Sequence, residues 1–206
     1  MILLRSYVSY KMERIKKEIQ NSINIKQKIL LDNSLIAQIE GIASTCLNSL
    51  RSGGKIILAG NGGSFADAQH ISAEFTSRYM FDRDSLASIC LGTNNSAISA
   101  IGNDYGYDKV FSRELSSIGN KADIFIAIST SGNSKNIIEA IKIADQKEIK
   151  TFALTGETGG SINELCECVK IPSSETGRIQ ECHIMIGHII CGMVENSILQ
   201  KAEDEL

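Results

Sequence analysis

The chain has no tryptophan, a single proline and only three histidines in 206 residues. The proline, Pro172, comes late, and no Pro/Gly/Ser-rich or low-complexity tract divides the sequence. One compact unit, extended at most by an accessory helical arm, is therefore expected. An excess of positive charge is also missing. The formal net charge is -3, and lysines and arginines are scattered rather than bunched, so the electrostatic footprint of a nucleic-acid binder is absent. A phosphorylated ligand would have to be held mainly by backbone amides and hydroxyls. The apolar run in the opening "MILLRSYVSYKMER" is far too short for a signal-peptide core or a membrane span. Met12 begins a more ordinary amphipathic segment, so a start at Met1 or at Met12 fits the pattern. The six cysteines, Cys46, Cys90, Cys166, Cys168, Cys182 and Cys191, lack the density of a disulfide scaffold. The expectation is a soluble chain of the reducing cytoplasm, with no nucleic-acid or membrane partner. Cys166-x-Cys168 has no second pair at zinc-ligand spacing, and two small buried thiols beside a strand account for it.

What is present is alternation. Strand-like apolar runs occur at 55–59, 86–91, 123–129, 150–155 and 168–171, with helix-like stretches between them at 64–79, 95–118 (broken near Asn103), 134–147 and 176–201. Such alternation specifies a three-layer, doubly wound five-stranded parallel sheet with helices on both faces, whose ligands sit beyond the carboxyl ends of the strands. The first fifty or so residues predict two helices instead, with Ile15, Ile19, Ile23 and then Leu35, Ile39, Ile42 at helical spacing. This divides the chain into an N-terminal helical arm over 1–52 and an α/β unit over 53–206. With the apolar run "HIMIGHIICGMVENSIL", the arm offers more greasy surface than one small sheet needs, which points to helix packing between subunits.

Two loops could hold an anion. "GNGGS", Gly60 to Ser64, lets the backbone approach a ligand closely, with Ser64 as the expected N-cap of the next helix. It matches neither the dinucleotide fingerprint nor the P-loop pattern, and alone it would be only a tight turn. "ISTSGNSKN" supplies Ser129, Thr130, Ser131 and Ser134 just before another helix, a second cradle, although serines cap many helices. His70 and Glu74, four apart, stack on one helix face, which is also the spacing of an ordinary surface pair. The last helix carries Gln180, Glu181, His183 and His188 in an otherwise apolar run, where polar groups need partners. Periodicity aligns Glu181 best with His188 and places Gln180 about 80° away around an ideal helix. Spacing alone therefore does not choose between them.

In this order, "GNGGSFADAQHISAEFTSRY", "IGNDYGYDKVFSREL", "ISTSGNSKNIIEAI", "LTGETGG" and "RIQECHIMIGHII" resemble the phosphoheptose isomerase family of the sugar isomerase (SIS) fold across nearly the whole chain. The resemblance implies conversion of sedoheptulose 7-phosphate to D-glycero-D-manno-heptose 7-phosphate through an enediolate, early in ADP-heptose synthesis for lipopolysaccharide or capsule, by a homotetramer. It implies a sugar pocket of Asn61, Gly62, Gly63, Ser64, Asn103, Asp104, Glu74 and Gln180, and a phosphate loop of Ser129, Thr130, Ser131 and Ser134. It further implies one divalent metal per subunit, expected to be zinc, on His70, Glu74, Gln180 and His188, with Glu74 and His188 as the acid/base pair. Arg78, four residues after Glu74, is expected to orient it, and His183 to be a packed or interface histidine. The chain departs at Gly177, where some relatives carry an aspartate, so no carboxylate stands there for a proton relay. The same fold also serves non-catalytic sugar-phosphate sensors and a tetrameric partner of the replication initiator. Only the His70, Glu74, Gln180 and His188 set speaks for catalysis over such a role.

Overall fold

The computed structural model describes residues 2–204, with side chains described for 11–200; a start at Met1 lies outside the described residues. Two helices come first, α1 (Ile2–Leu31) and α2 (Asn33–Arg51), followed by β1 (Ile56–Gly60), α3 (Gly63–Thr76), β2 (Ser88–Cys90), α4 (Asn95–Tyr105), α5 (Val110–Ile118), β3 (Ile124–Ser129), α6 (Lys135–Gln146), β4 (Lys150–Thr155), β5 (Glu167–Lys170) and α7 (Thr176–Asp204). All five strands are parallel, in the order β2-β1-β3-β4-β5. Every residue of β1 and β3 is buried, as expected of strands covered on both faces.

Each face has its own core. On one, Leu58, Ile126 and Leu154 of the sheet meet Ile42 of α2, Phe75 of α3 and Ile186 of α7. On the other, Ile57, Phe125 and Ala153 meet Leu115 of α5 and Ile141 of α6. This is the three-layer arrangement that the alternation predicts. Burying Ile71 and Phe75, each 1% exposed, contributes about 1.5–3 kcal/mol apiece. That burial turns the opposite face of α3, with His70 and Glu74, outward. α7 is long and apolar enough to cross a membrane, but its Ile179, Ile186, Ile190 and Val194 are spent on the core.

Two local expectations are corrected. The helix after the glycine turn starts at Gly63 with Gly62 as its N-cap, so Ser64 lies inside the first turn and is buried rather than capping it. The 95–118 stretch breaks at Gly106, where φ is +88°, and not near Asn103. Leu35, Ile39 and Ile42 are buried, whereas Ile15, Ile19 and Ile23 remain 61%, 56% and 42% exposed.

Candidate active site

The strand order reverses between β1 and β3, which lie side by side although separated by β2 in sequence. Their carboxyl ends therefore flank the switch-point crevice where open α/β sheets bind ligands. β1 runs into the glycine turn and β3 into the serine loop, so the topology brings both anion candidates to one rim. A reciprocal amide pair ties them together: Asn61 Nδ2 donates to Asn136 Oδ1 and Asn136 Nδ2 donates to Asn61 Oδ1, each at 2.9 Å. Tyr107 adds its hydroxyl to Asn61 Oδ1 at 3.3 Å.

In the serine loop, the hydroxyls of Ser129 and Ser134 lie 3.1 Å apart, and Ser134 is the N-cap of α6. Ser131 is exposed and its Oγ accepts from the N–H of Asn133 at 3.2 Å. The turn depends on Gly132, at φ +65°. A Cβ there would come within 1.9 Å of the Gly159 carbonyl oxygen. The loop thus presents hydroxyls and the first N–H groups of a helix, which together favour an anion.

Beside this rim, α3 and α7 converge. Their close approach is permitted by Gly187, where a Cβ would come within 2.3 Å of Ile71 Cδ1. His188, the next residue, is thereby delivered to the outward face of α3. Its Nε2 lies 2.9 Å from Nε2 of His70, which in turn lies 3.2 Å from Oε1 of Glu74. One ligand atom from each of the three falls within 4.8 Å of the others. Donor atoms on a zinc ion at about 2.0–2.1 Å would stand about 3.3 Å apart, so two imidazoles and a carboxylate at these separations fit a divalent cation. The Tyr79 ring stacks on His188 at 5.4 Å between centroids and 20° between planes. A cavity of about 570 Å³ opens beside them, lined by Tyr79, His188, Ile184, Met185, Ile189 and Met193 among others.

Gln180 and Glu181 face different neighbours. Glu181 turns to α1, accepting from Ser22 Oγ at 2.8 Å and pairing with Arg178 at 3.0 Å. Gln180 points at the glycine turn instead: a Cβ on Gly63 would lie 2.5 Å from its Nε2. Asn103 and Asp104 are exposed at the end of α4 and hydrogen-bond to one another at 2.8 Å. Arg78 does not orient Glu74. α3 ends at Thr76, so the i, i+4 relation is lost, Arg78 is exposed, and among the described residues no hydrogen bond or ion pair joins the two. His183 is packed: fully buried, with Nε2 3.2 Å from the Thr155 carbonyl oxygen, it is held neutral by burial, its pKa pushed down to about 4.

Several residues at the site escape local pattern. Asp67, one turn before His70, has a buried carboxylate oxygen with no hydrogen-bond partner. Burial raises its pKa, against the opposing effect of His70. Its i, i+3 spacing to His70 was the available signal. Tyr79, Tyr107 and Asn136 carry no such signal, because their partners are remote in sequence.

A doubly wound sheet with a hydroxyl-lined loop and a glycine turn at its switch point is the arrangement of a sugar-phosphate-handling SIS domain, and residues 11–156 match the family described as SIS domain. The chain is 54% identical over 187 residues to the phosphoheptose isomerase of Aneurinibacillus thermoaerophilus, covering 90% of this chain and 94% of that one. It is 52% identical over 188 residues to phosphoheptose isomerase 2 of Campylobacter jejuni, covering 91% and 94%. The solved structure of the phosphoheptose isomerase of Neisseria gonorrhoeae superimposes with a TM-score of 0.83 at 40% identity, over 90% of this chain and 98% of that one. The chain belongs to the phosphoheptose isomerase family of SIS domains.

Proposed function

We propose that the chain is an aldose-ketose isomerase acting on sedoheptulose 7-phosphate and forming D-glycero-D-manno-heptose 7-phosphate in the cytoplasm, for heptose destined for lipopolysaccharide or capsule. The observation that carries this reading is the convergence of Glu74, His70 and His188, from helices over a hundred residues apart in sequence, beside two anion-holding loops. A sugar-phosphate sensor needs the loops but not the cluster.

The reaction moves a proton between carbons 1 and 2 through an enediolate and a second proton between the two oxygens, so two groups are required. Glu74 takes the carbon-bound proton and His188 serves the oxygens, each the ordinary work of such a side chain near neutral pH. Ser129, Thr130, Ser131 and Ser134, with the N–H groups opening α6, seat the phosphate. Asn61, Gly62, Gly63, Ser64, Asn103, Asp104 and Gln180 line the sugar. Two imidazoles, the Glu74 carboxylate and the Gln180 amide form the proposed donor set for one zinc ion per subunit. Bound there, the cation would polarise the carbonyl and stabilise negative charge developing on oxygen. Residues 1–52 form an arm that packs between subunits of a homotetramer, a role supported by the exposed Ile15, Ile19 and Ile23 stripe.

The test is direct: purified protein is incubated with sedoheptulose 7-phosphate, with and without added zinc, and NMR is used to follow the aldose. Growth of the aldose signal is expected. No turnover under either condition would refute the isomerase and leave a non-catalytic sugar-phosphate binder.

A further inference from the structure

Beyond Thr76 the chain leaves α3 and runs without regular structure to β2, yet this segment places the Tyr79 ring against His188. A buried ion pair organises it. Glu195, on α7 and 1% exposed, accepts from the backbone N–H of Tyr79 at 3.0 Å, Met80 at 2.7 Å and Phe81 at 3.2 Å, and from Nε of Arg83 at 2.9 Å. The Arg83 guanidinium in turn donates to the carbonyl oxygens of Glu74 at 2.8 Å, Phe75 at 3.0 Å and Asp84 at 3.0 Å. Glu74 and Phe75 lie in the last turn of α3, where carbonyls lack intrahelical partners. Burial would raise the Glu195 carboxyl, but the N–H groups of Met80, Tyr79 and Phe81 outweigh it, helped by Arg83, and hold it below the ordinary carboxylate range.

The register of these contacts matters. Glu195 follows His188 by seven residues, two turns along one stripe of α7. Between them lies Gly192, where a Cβ would come within 3.3 Å of Tyr79 Cε1. The glycine leaves a floor on which the aromatic ring lies, the carboxylate anchors the ring's backbone, and the ring stacks on the imidazole. The same carboxylate, through Arg83, pins the helix end that carries Glu74.

We propose that Glu195 and Arg83 are positioning residues for the reaction: one buried ion pair sets Tyr79 flat against His188 and holds the end of α3, so that the imidazole and the Glu74 carboxylate keep their mutual geometry. The proposal rests on the isomerase reading and deepens it. Displacements of about an ångström at reacting groups cost on the order of 10- to 100-fold in rate, so the pair's effect belongs in kcat rather than in KM.

The test compares Glu195→Gln, which keeps one acceptor oxygen but loses the charge, with Tyr79→Leu, which removes the ring and leaves the tether. The readouts are kcat and KM for sedoheptulose 7-phosphate and the Cε1–H resonance of His188 in protein carrying 13C-labelled histidine. With three histidines in the chain, that signal is assignable by single substitutions. Both variants are expected to lower kcat by roughly 10- to 100-fold with little change in KM. Both should move the His188 resonance in the same direction, away from its ring-current-shifted position, while the buried His183 resonance stays put. A folded Glu195→Gln with lowered melting temperature but wild-type kcat and an unmoved His188 signal would overturn the proposal and reduce the pair to a structural tether. Should Glu195→Gln not fold, Arg83→Lys is judged by the same two readouts. Wild-type protein without isomerase activity would sink the functional reading, whereas the His188 resonance would still decide whether the tether positions the ring.

Discussion

His183 offers a quantitative test of the core. Its ring is fully buried, Nε2 faces the Thr155 carbonyl oxygen at 3.2 Å and must donate to it, and Nδ1 has no hydrogen-bond partner. Burial pushes its pKa down to about 4 from the ordinary 6.5. The unfolded chain therefore takes up a proton near pH 6.5 that the folded chain refuses until about pH 4. Stability from burying the neutral ring is complete above pH 6.5, drains away as pH falls between those values, and reaches a floor below about 4. At about 1.4 kcal/mol per pH unit, the loss is about 3 kcal/mol. Glutamine at this position, His183→Gln, keeps an N–H donor for Thr155 but cannot titrate. Urea unfolding of metal-free wild type and variant, at equal protein concentration so that subunit association is matched, gives the difference in unfolding free energy at each pH. That difference should shift against wild type by about 3 kcal/mol between pH 7 and pH 4. Parallel curves across the range would refute the assignment of a buried neutral imidazole.

Other outcomes follow from the site. Glu74→Gln should lower kcat by ~2 to 4 decades, and near-normal turnover would remove Glu74 as the base. Gly63→Ala sets a methyl group 2.5 Å from Gln180 Nε2, the movable tip of a side chain. Melting temperature should hardly change, while zinc affinity in competition with a chelating dye falls roughly 10- to 100-fold; unchanged affinity would detach Gln180 from the metal. Gly132→Ala meets the Gly159 carbonyl and a φ of +65°. It should cost about 1–3 kcal/mol from backbone strain alone and raise KM for the sugar phosphate in steady-state assays, and a wild-type KM would separate this loop from phosphate binding.

How far the sequence speaks depends on the range of the interaction. The 150–155 strand has the bounds that its apolar run predicts, because burial on both faces leaves a local signature. The 86–91 run shrinks to Ser88–Cys90, since an edge strand pairs on one side only. Hydrophobic periodicity could not reveal that Gly62 rather than Ser64 caps α3, because both residue types suit the turn. That Gln180 and Glu181 face different neighbours rests on Ser22 and Lys26 of α1, more than 150 residues away, which hold the carboxylate. Arg78 was misplaced because an i, i+4 argument presumes a helix that has already ended. Glu195 left no trace in spacing at all, its bonds joining segments over a hundred residues apart.

The paired amides of Asn61 and Asn136 have a geometric corollary. Each satisfies the other at 2.9 Å in both directions, so the two rims of the crevice cannot drift apart without breaking both bonds at once. The turn that opens α3 and the first turn of α6 therefore share one joint at the carboxyl ends of β1 and β3, and a shift of either helix start is passed to the other.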